Sequence, residues 1–251
     1  MKQCDFMNLS LTDLHTHILP FVDDGATDVT MSVEILCSQK SKGIDRVALT
    51  PHYYPLQETL DVFLARRQEA YTMLLSCYDK NTMPQLCLGA EVRYTPKLVE
   101  LDLRQLTIGS GSYLLLELPD MGTPPLLEQI VDFMLLQGIT PVLAHIERCD
   151  FFRNEPEELL KFAQRGVLAQ ISASAIAGRV DDFALACLKN GLAHVISSDV
   201  HRVSDLAVLS SLNKYRDFLQ WSESFAKAIW EDSPLPAYSI APVKRSLFGY
   251  R

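Results

Sequence analysis

Seven short β-tolerant runs, most of them followed by a stretch with helical spacing, constrain this chain more than any other feature. The runs fall at about 9–14, 46–50, 85–93, 112–118, 141–145, 167–172 and 193–198. Helical spacing is expected over 27–42, 58–79, 123–137, 156–164 and 181–190, then over 206–214 and 218–230. Thr27 or Asp28 offers an N-cap, Pro124 and Pro125 belong in a first turn, and Gly43, Gly138 and Gly191 stand at stops. The run Leu114-Leu115-Leu116 reads as a buried strand. Strand alternating with helix predicts parallel strands rolled into a (β/α) barrel. No repeat, linker or low-complexity segment divides the 251 residues, so residues 1–251 are read as one α/β domain. The tail from about Asp232, with Pro234, Pro236 and Pro242, is expected to be irregular.

Composition narrows the class. With 48% hydrophobic and 22% charged residues the chain suits a globular core. A net charge of −8 argues against nucleic acid as the main partner. No apolar run approaches the ~18 residues that span a bilayer, so no membrane insertion is expected. The start lacks the basic-then-apolar pattern of a signal peptide, and a cytoplasmic location is expected. Cys4, Cys37, Cys77, Cys87, Cys149 and Cys187 form no C-x-x-C pair and read as reduced thiols. Cys87 and Arg93 share the C-x5-R spacing of cysteine phosphatases, but Leu88-Gly89-Ala90-Glu91-Val92 between them is no glycine-rich phosphate cradle.

Chemistry gathers at the ends of the expected strands. His15 and His17 lie two apart on the first, so they share a face and can grip one cation. Asp23-Asp24-Gly25 behind them forms a loop with hard oxygen donors. His52, Glu91, Glu117, His145, Asp199 and His201 fall at or near other strand ends, which a barrel brings to one rim. Only His194, of six histidines, begins its strand instead. Imidazoles and carboxylates without thiolates suit Mn, Fe or Zn rather than a structural Zn site. Singly, each residue has an ordinary explanation: a salt bridge for Glu91 or Glu117, a satisfied core position for His145.

In order along the chain stand Asp13-Leu14-His15-Thr16-His17-Ile18-Leu19-Pro20, Asp23-Asp24-Gly25-Ala26, Thr50-Pro51-His52, Gly89-Ala90-Glu91, Leu115-Leu116-Glu117, Ala144-His145-Ile146-Glu147-Arg148 and Ser198-Asp199-Val200-His201. Together they resemble the polymerase-and-histidinol-phosphatase (PHP) superfamily. Within it the chain is similar to bacterial metal-dependent protein-tyrosine phosphatases of capsule and exopolysaccharide synthesis. The resemblance implies a distorted (β/α)7 barrel with three divalent metal ions, commonly manganese, with iron or zinc in related sites. His15, His17, Glu91 and Asp199 would hold one ion. Glu91 would bridge to a second held by Glu117 and His145, and Asp24, His52 and His201 would hold the third. The implied partner is a phosphotyrosine-bearing protein, the tail of a bacterial tyrosine kinase acting as polysaccharide co-polymerase. The implied reaction is attack on phosphorus by hydroxide shared between two ions.

Departures from the family pattern bear on substrate fit. Ile146 and Cys149 replace a usual proline and tyrosine around Glu147-Arg148, and Tyr53 stands where a second histidine often follows Thr-Pro-His. Arg202 is the only arginine near the place of a second phosphate-binding one. Arg148 is the candidate phosphate contact, with an ion pair to Glu147 or Glu155 as its ordinary alternative. Tyr53, Tyr94 and Arg202 are further candidates for framing the substrate. A small phosphomonoester such as histidinol phosphate is the alternative substrate. An amidohydrolase-like enzyme would want a bridging lysine that no strand end offers, and a non-catalytic phosphoprotein binder would not need the full ligand set.

Overall fold

The computed structural model describes residues 10–178, 180–246 and 249–250. Cys4, the Leu9 start of the first expected strand and tail positions 247, 248 and 251 lie outside them. The chain opens with β1 (Leu11–Asp13) and α1 (Val29–Ser41), whose N-cap Asp28 accepts from the Met31 N–H. There follow β2 (Ile44–Leu49), β3 (His52–Tyr53), α2 (Leu60–Leu75) behind the Thr59 cap, β4 (Gln85–Leu88) and β5 (Glu91–Arg93). Next come β6 (Tyr113–Glu117), α3 (Leu127–Leu136), β7 (Thr140–Leu143), α4 (Asp150–Asn154), α5 (Pro156–Gln164) and β8 (Leu168–Ser172). The series ends with α6 (Ala173–Ala177), α7 (Asp182–Lys189), β9 (Val195–Ser197), a 3-10 helix over Val203–Tyr215 and α8 (Arg216–Trp230).

All strand pairs among β1 to β9 are parallel, in two sheets ordered β1-β2-β4 and β3-β5-β6-β7-β8-β9. β2 resumes as β3 after Thr50-Pro51, and β4 resumes as β5 after Gly89-Ala90. The single strand expected over 85–93 is therefore two. Pro51 has no N–H to give the ladder. A Cβ on Gly89 would lie 3.1 Å from the Thr50 methyl, so the broken segments pass closely. The Gly89 N–H still donates to Leu49 O at 2.9 Å, and Glu91 N–H to Pro51 O at 3.0 Å. Taken as one strand each, the broken pairs leave seven in sequence order, and a bridge between Thr16 and Val200 joins the last to the first. This is the expected barrel, distorted at the breaks and at its closing seam.

Cross-strand rows explain the apolar runs. Leu115, Val142 and Leu168 are successive partners and join Leu14, Ala48 and Val195 in one buried cluster, which Phe225, Ala226 and Ile229 of α8 cover. Leu114 and Leu116 join the larger cluster with α3 residues Ile130, Val131 and Met134. The leucine run is thus divided between two cores by strand alternation.

Two expectations about helices shift, and two short helices were not expected. α3 starts beyond its prolines, after Leu126 in a left-handed conformation (φ 60°), so neither proline lies in its first turn. The segment 206–214 is 3-10 rather than α-helical, and the short helices α4 and α6 lacked enough periods to be read. The tail packs down on the barrel. Tyr238 lies edge-on to His194 and Phe225, Ala241 N–H donates to Asn190 O at 2.9 Å, and Asp232 accepts from Ser112. It ends in a small hairpin, β10 (Arg245–Ser246) with β11 (Gly249–Tyr250).

Candidate metal centre

The strand ends deliver eight side chains to one place, and a loop adds a ninth. His15 and His17 follow β1, His52 opens β3, Glu91 opens β5, Glu117 ends β6, His145 follows β7, and Asp199 and His201 follow β9. Asp24 comes from the loop behind β1, where a Cβ on Gly25 would lie 1.9 Å from His17 O, so only glycine lets that loop press onto the histidine. His145 (φ 29°) and Asp199 (φ 54°) have left-handed backbones, conformations that a non-glycine residue holds only where its surroundings enforce them.

Glu91 is the hub. Its Oε2 lies 3.2 Å from His15 Nε2, 3.3 Å from His17 Nε2 and 2.8 Å from His52 Nδ1, while Oε1 lies 2.8 Å from His145 Nε2. Asp199 Oδ1 is 3.4 Å from His15 Nε2 and 3.3 Å from His17 Nε2, and those two nitrogens are 3.1 Å apart. At the outer edge Asp24 Oδ1 lies 3.3 Å from His201 Nε2 and 3.7 Å from His52 Nε2. Glu117 Oε1 is 3.9 Å from His145 Nε2. Four overlapping groups have ligand atoms within 4.8 Å of one another: His17, Asp24, His52 and His201; His15, His17 and Asp199; His15, Glu91 and His145; His52, Glu91 and Glu117. Glu117 Oε2 also lies 4.0 Å from His52 Nδ1, so it stands between His52 and His145, the partner that the family resemblance implies.

The electrostatics of this cluster suit cations. Burial opposes a charge on His15, but the Glu91 and Asp199 carboxylates raise it to about 9. Burial likewise opposes ionisation of Glu91, yet the surrounding imidazoles hold it well below the usual carboxylate range. Glu117 is raised, by burial and then by Glu91. Glu91 Oε2, Glu117 Oε2 and His52 Nδ1 are buried without a properly aligned hydrogen-bond partner, despite the 2.8 Å approach of the first to the third. Atoms that converge without aligning on one another fit a shared positive ion, and an all-imidazole and carboxylate donor set fits Mn, Fe or Zn.

Contacts from two residues outside the cluster and from one backbone carbonyl within it aim its rings. Asp23 Oδ2 lies 2.7 Å from His17 Nδ1 and accepts from the His52 N–H at 3.0 Å, while its Oδ1 accepts from Gly25 N–H. Gln170 Oε1 lies 3.1 Å from His15 Nδ1 and accepts from the His145 N–H at 2.8 Å. Asp199 O lies 3.0 Å from His201 Nδ1. Each leaves an Nε2 facing the cluster. The sequence reading saw Asp23 only as loop oxygen and missed Gln170, whose one signal is a polar side chain inside a buried strand.

The other candidates fare unevenly. Arg148 Nη2 donates to Asp199 Oδ2 at 2.6 Å, rather than pairing with Glu147 or Glu155. Arg202 Nη1 donates to the carbonyls of Asp24, Gly25 and His201, so it ties down the Asp24 loop. Tyr53 is fully buried against Phe63 and does not face the cluster, which corrects the expectation that it frames a substrate. Strand alternation is the reason: Tyr54, not Tyr53, shares a side with His52, and its ring stacks there at 5.2 Å. Tyr94 is buried and donates to Pro125 O. Cys87 is pushed up to about 12 by burial, which deprives it of the thiolate that a cysteine nucleophile needs.

Fold and site define a class: a parallel α/β barrel with imidazoles and carboxylates gathered at the C-terminal ends of its strands. Residues 11–215 match the family described as capsular polysaccharide synthesis, CpsB/CapC, and the chain belongs to that family. It is 32% identical over 201 residues to the tyrosine-protein phosphatase YwqE of Bacillus subtilis, covering 77% of this chain and 78% of that one. It is 27% identical over 212 residues to the tyrosine-protein phosphatase CpsB of Streptococcus pneumoniae, covering 77% and 84%. A crystal structure from a study of YwqE and CpsB, described there as metal-dependent tyrosine phosphatases, superposes with a TM-score of 0.78 at 23% identity, covering 94% of this chain and all of that one.

Proposed function

We propose that this chain is a metal-dependent protein-tyrosine phosphatase. The observation that carries the reading is the convergence of nine imidazole and carboxylate side chains around Glu91, in a family whose matched relatives are named tyrosine phosphatases. Those relatives favour phosphotyrosine over histidinol phosphate as substrate. His15, His17, Glu91 and Asp199 would hold one ion, Glu91, Glu117 and His145 a second, and Asp24, His52 and His201 a third, with manganese as the expected metal. Divalent ions held there would supply charge neutralisation for phosphoryl oxygens and a water acidic enough to act as nucleophile at neutral pH.

The chain's own residues do the rest. Asp23, Gln170 and Asp199 O fix which ring nitrogens face the ions. Arg148, half-exposed and anchored on Asp199, offers the rest of its fork to phosphoryl oxygens as charge builds on them. A phenolate leaving group, with a pKa of ~10, needs little proton assistance, so no dedicated acid is required. The substrate is taken to be the phosphotyrosine tail of a bacterial kinase in polysaccharide synthesis, met in the cytoplasm. No helix among the described residues is long and apolar enough to cross a membrane.

The test is an assay on a phosphotyrosine peptide with the metal stripped by chelator and restored with Mn, alongside Cys87→Ser. Loss on chelation, recovery with Mn and an active Cys87→Ser are expected. Activity indifferent to chelation but abolished by Cys87→Ser overturns the reading.

A further inference from the structure

Beside the cluster lies a cleft of 410 Å³ walled by Tyr54, Pro55, Leu56, Gln57, Arg93, Tyr94 and Thr95. Its position is set by strand register. β3 pairs with β5 with His52 opposite Glu91, and β5 pairs with β6 with Arg93 opposite Glu117. Tyr54 lies two residues beyond His52 and Arg93 two beyond Glu91, so each continues the side of a cluster residue. The Tyr54 ring stacks on His52 with an interplanar angle of 29°, and Arg93 Nη1 lies 2.7 Å from Glu117 Oε1. Two of its walls therefore touch cluster residues, Tyr54 on His52 and Arg93 on Glu117. Leu56 is 68% exposed there.

We propose that this cleft is the subsite for the aryl ring of the leaving group, a deepening that rests on the phosphatase reading. The chemistry of its walls is that of an aromatic phosphate ester. Tyr54 offers a ring face for offset stacking, Pro55 and Leu56 an apolar wall, and Arg93 a cation at the inner end. Among the described residues the Arg93 side chain makes no other hydrogen bond or ion pair than the one to Glu117, which leaves most of its fork for the ester. An alkyl phosphate presents nothing to the ring or the apolar wall. The cleft thus selects phosphotyrosine over phosphoserine by what the substrate carries beyond its phosphoryl group. The volume falls within the ~300–1,000 Å³ of small-molecule clefts and takes a phenyl ring.

The test uses the Mn-loaded protein and two phosphonates that cannot be hydrolysed, benzylphosphonate and methylphosphonate, with affinities measured by calorimetry. Wild type is expected to prefer the benzyl compound. Tyr54→Ala and Leu56→Asp should each cut that preference about three- to tenfold, Tyr54→Ala while leaving methylphosphonate within about twofold. Arg93→Gln should weaken both compounds. Leu56 is exposed enough for its substitution to spare the fold, so it decides the matter if Tyr54→Ala does not fold. Equal affinity of wild type for the two compounds, or a preference unchanged in Leu56→Asp, overturns the subsite. A wild type that leaves a phosphotyrosine peptide intact refutes the phosphatase reading instead, whichever way the phosphonates bind.

Discussion

His194 gives a prediction that can be worked to a number without involving the cluster. The ring is buried edge-on to Phe225 and Tyr238, and its Nδ1 accepts the Ala169 N–H at 3.1 Å. A proton on Nδ1 would set donor against donor, and a charge there would be buried; burial lowers the ring from 6.5 to about 4. Between those values the unfolded chain binds a proton that the folded chain refuses. Stability from this residue is therefore complete above about pH 6.5 and falls as pH drops toward 4. At pH 5 the loss comes to about 2 kcal/mol, against almost none at pH 7.5. In a protein of this size that is about 4 °C in Tm. The control is His194→Asn, whose side-chain oxygen can replace Nδ1 as acceptor without titrating. Urea unfolding of both proteins at the two pH values, in chelator so that metal is common to neither, isolates the residue. Wild type should lose about 2 kcal/mol more than the variant on acidification. A difference below about 0.5 kcal/mol would refute the account, because a ring that titrates normally when folded adds no pH dependence.

Two further outcomes concern the centre. Asp23→Ala removes the carboxylate that aims His17 and braces the His52 backbone, and should weaken metal binding about 10- to 100-fold by titration calorimetry; unchanged affinity would make Asp23 a bystander. Metal affinity should also rise with pH up to about 9, because the Glu91 and Asp199 carboxylates hold a proton on His15 to that point when no cation takes its place. Proton release on binding, measured in buffers of different ionisation enthalpy, should fall as pH rises toward that point.

Much of the site was legible because strand ends carry chemistry in a barrel. His15-x-His17, Glu117 after its leucine run and Asp199-x-His201 could be placed from periodicity and the strand stops alone. α5 (Pro156–Gln164) was read to the residue because Pro156 sets its first turn and Gly166 follows its end. What failed was local geometry that no short-range pattern encodes. The break at Thr50-Pro51 creates β3, and with it the alternation that buries Tyr53 and presents Tyr54. The left-handed turn at Leu126 delays α3 beyond its prolines. Gln170 and Arg202 act through contacts 155 and 178 residues away in sequence, to His15 and Asp24, which depend on the closed barrel and not on neighbours along the chain.

The seam between first and last strands has a consequence for how the molecule holds itself shut. Between residues that carry His15 and His17 on one side and Asp199 and His201 on the other, the backbone offers one bridge, Thr16 to Val200, and two flanking bonds, His17 N–H to Val200 O and Asp199 N–H to His15 O. Ions gripped from both banks would serve as the clasp of the ring, drawing the two distant ends of the polypeptide together. Loading the centre and locking the barrel would then be one event. Stripping it would loosen the fold first along that line.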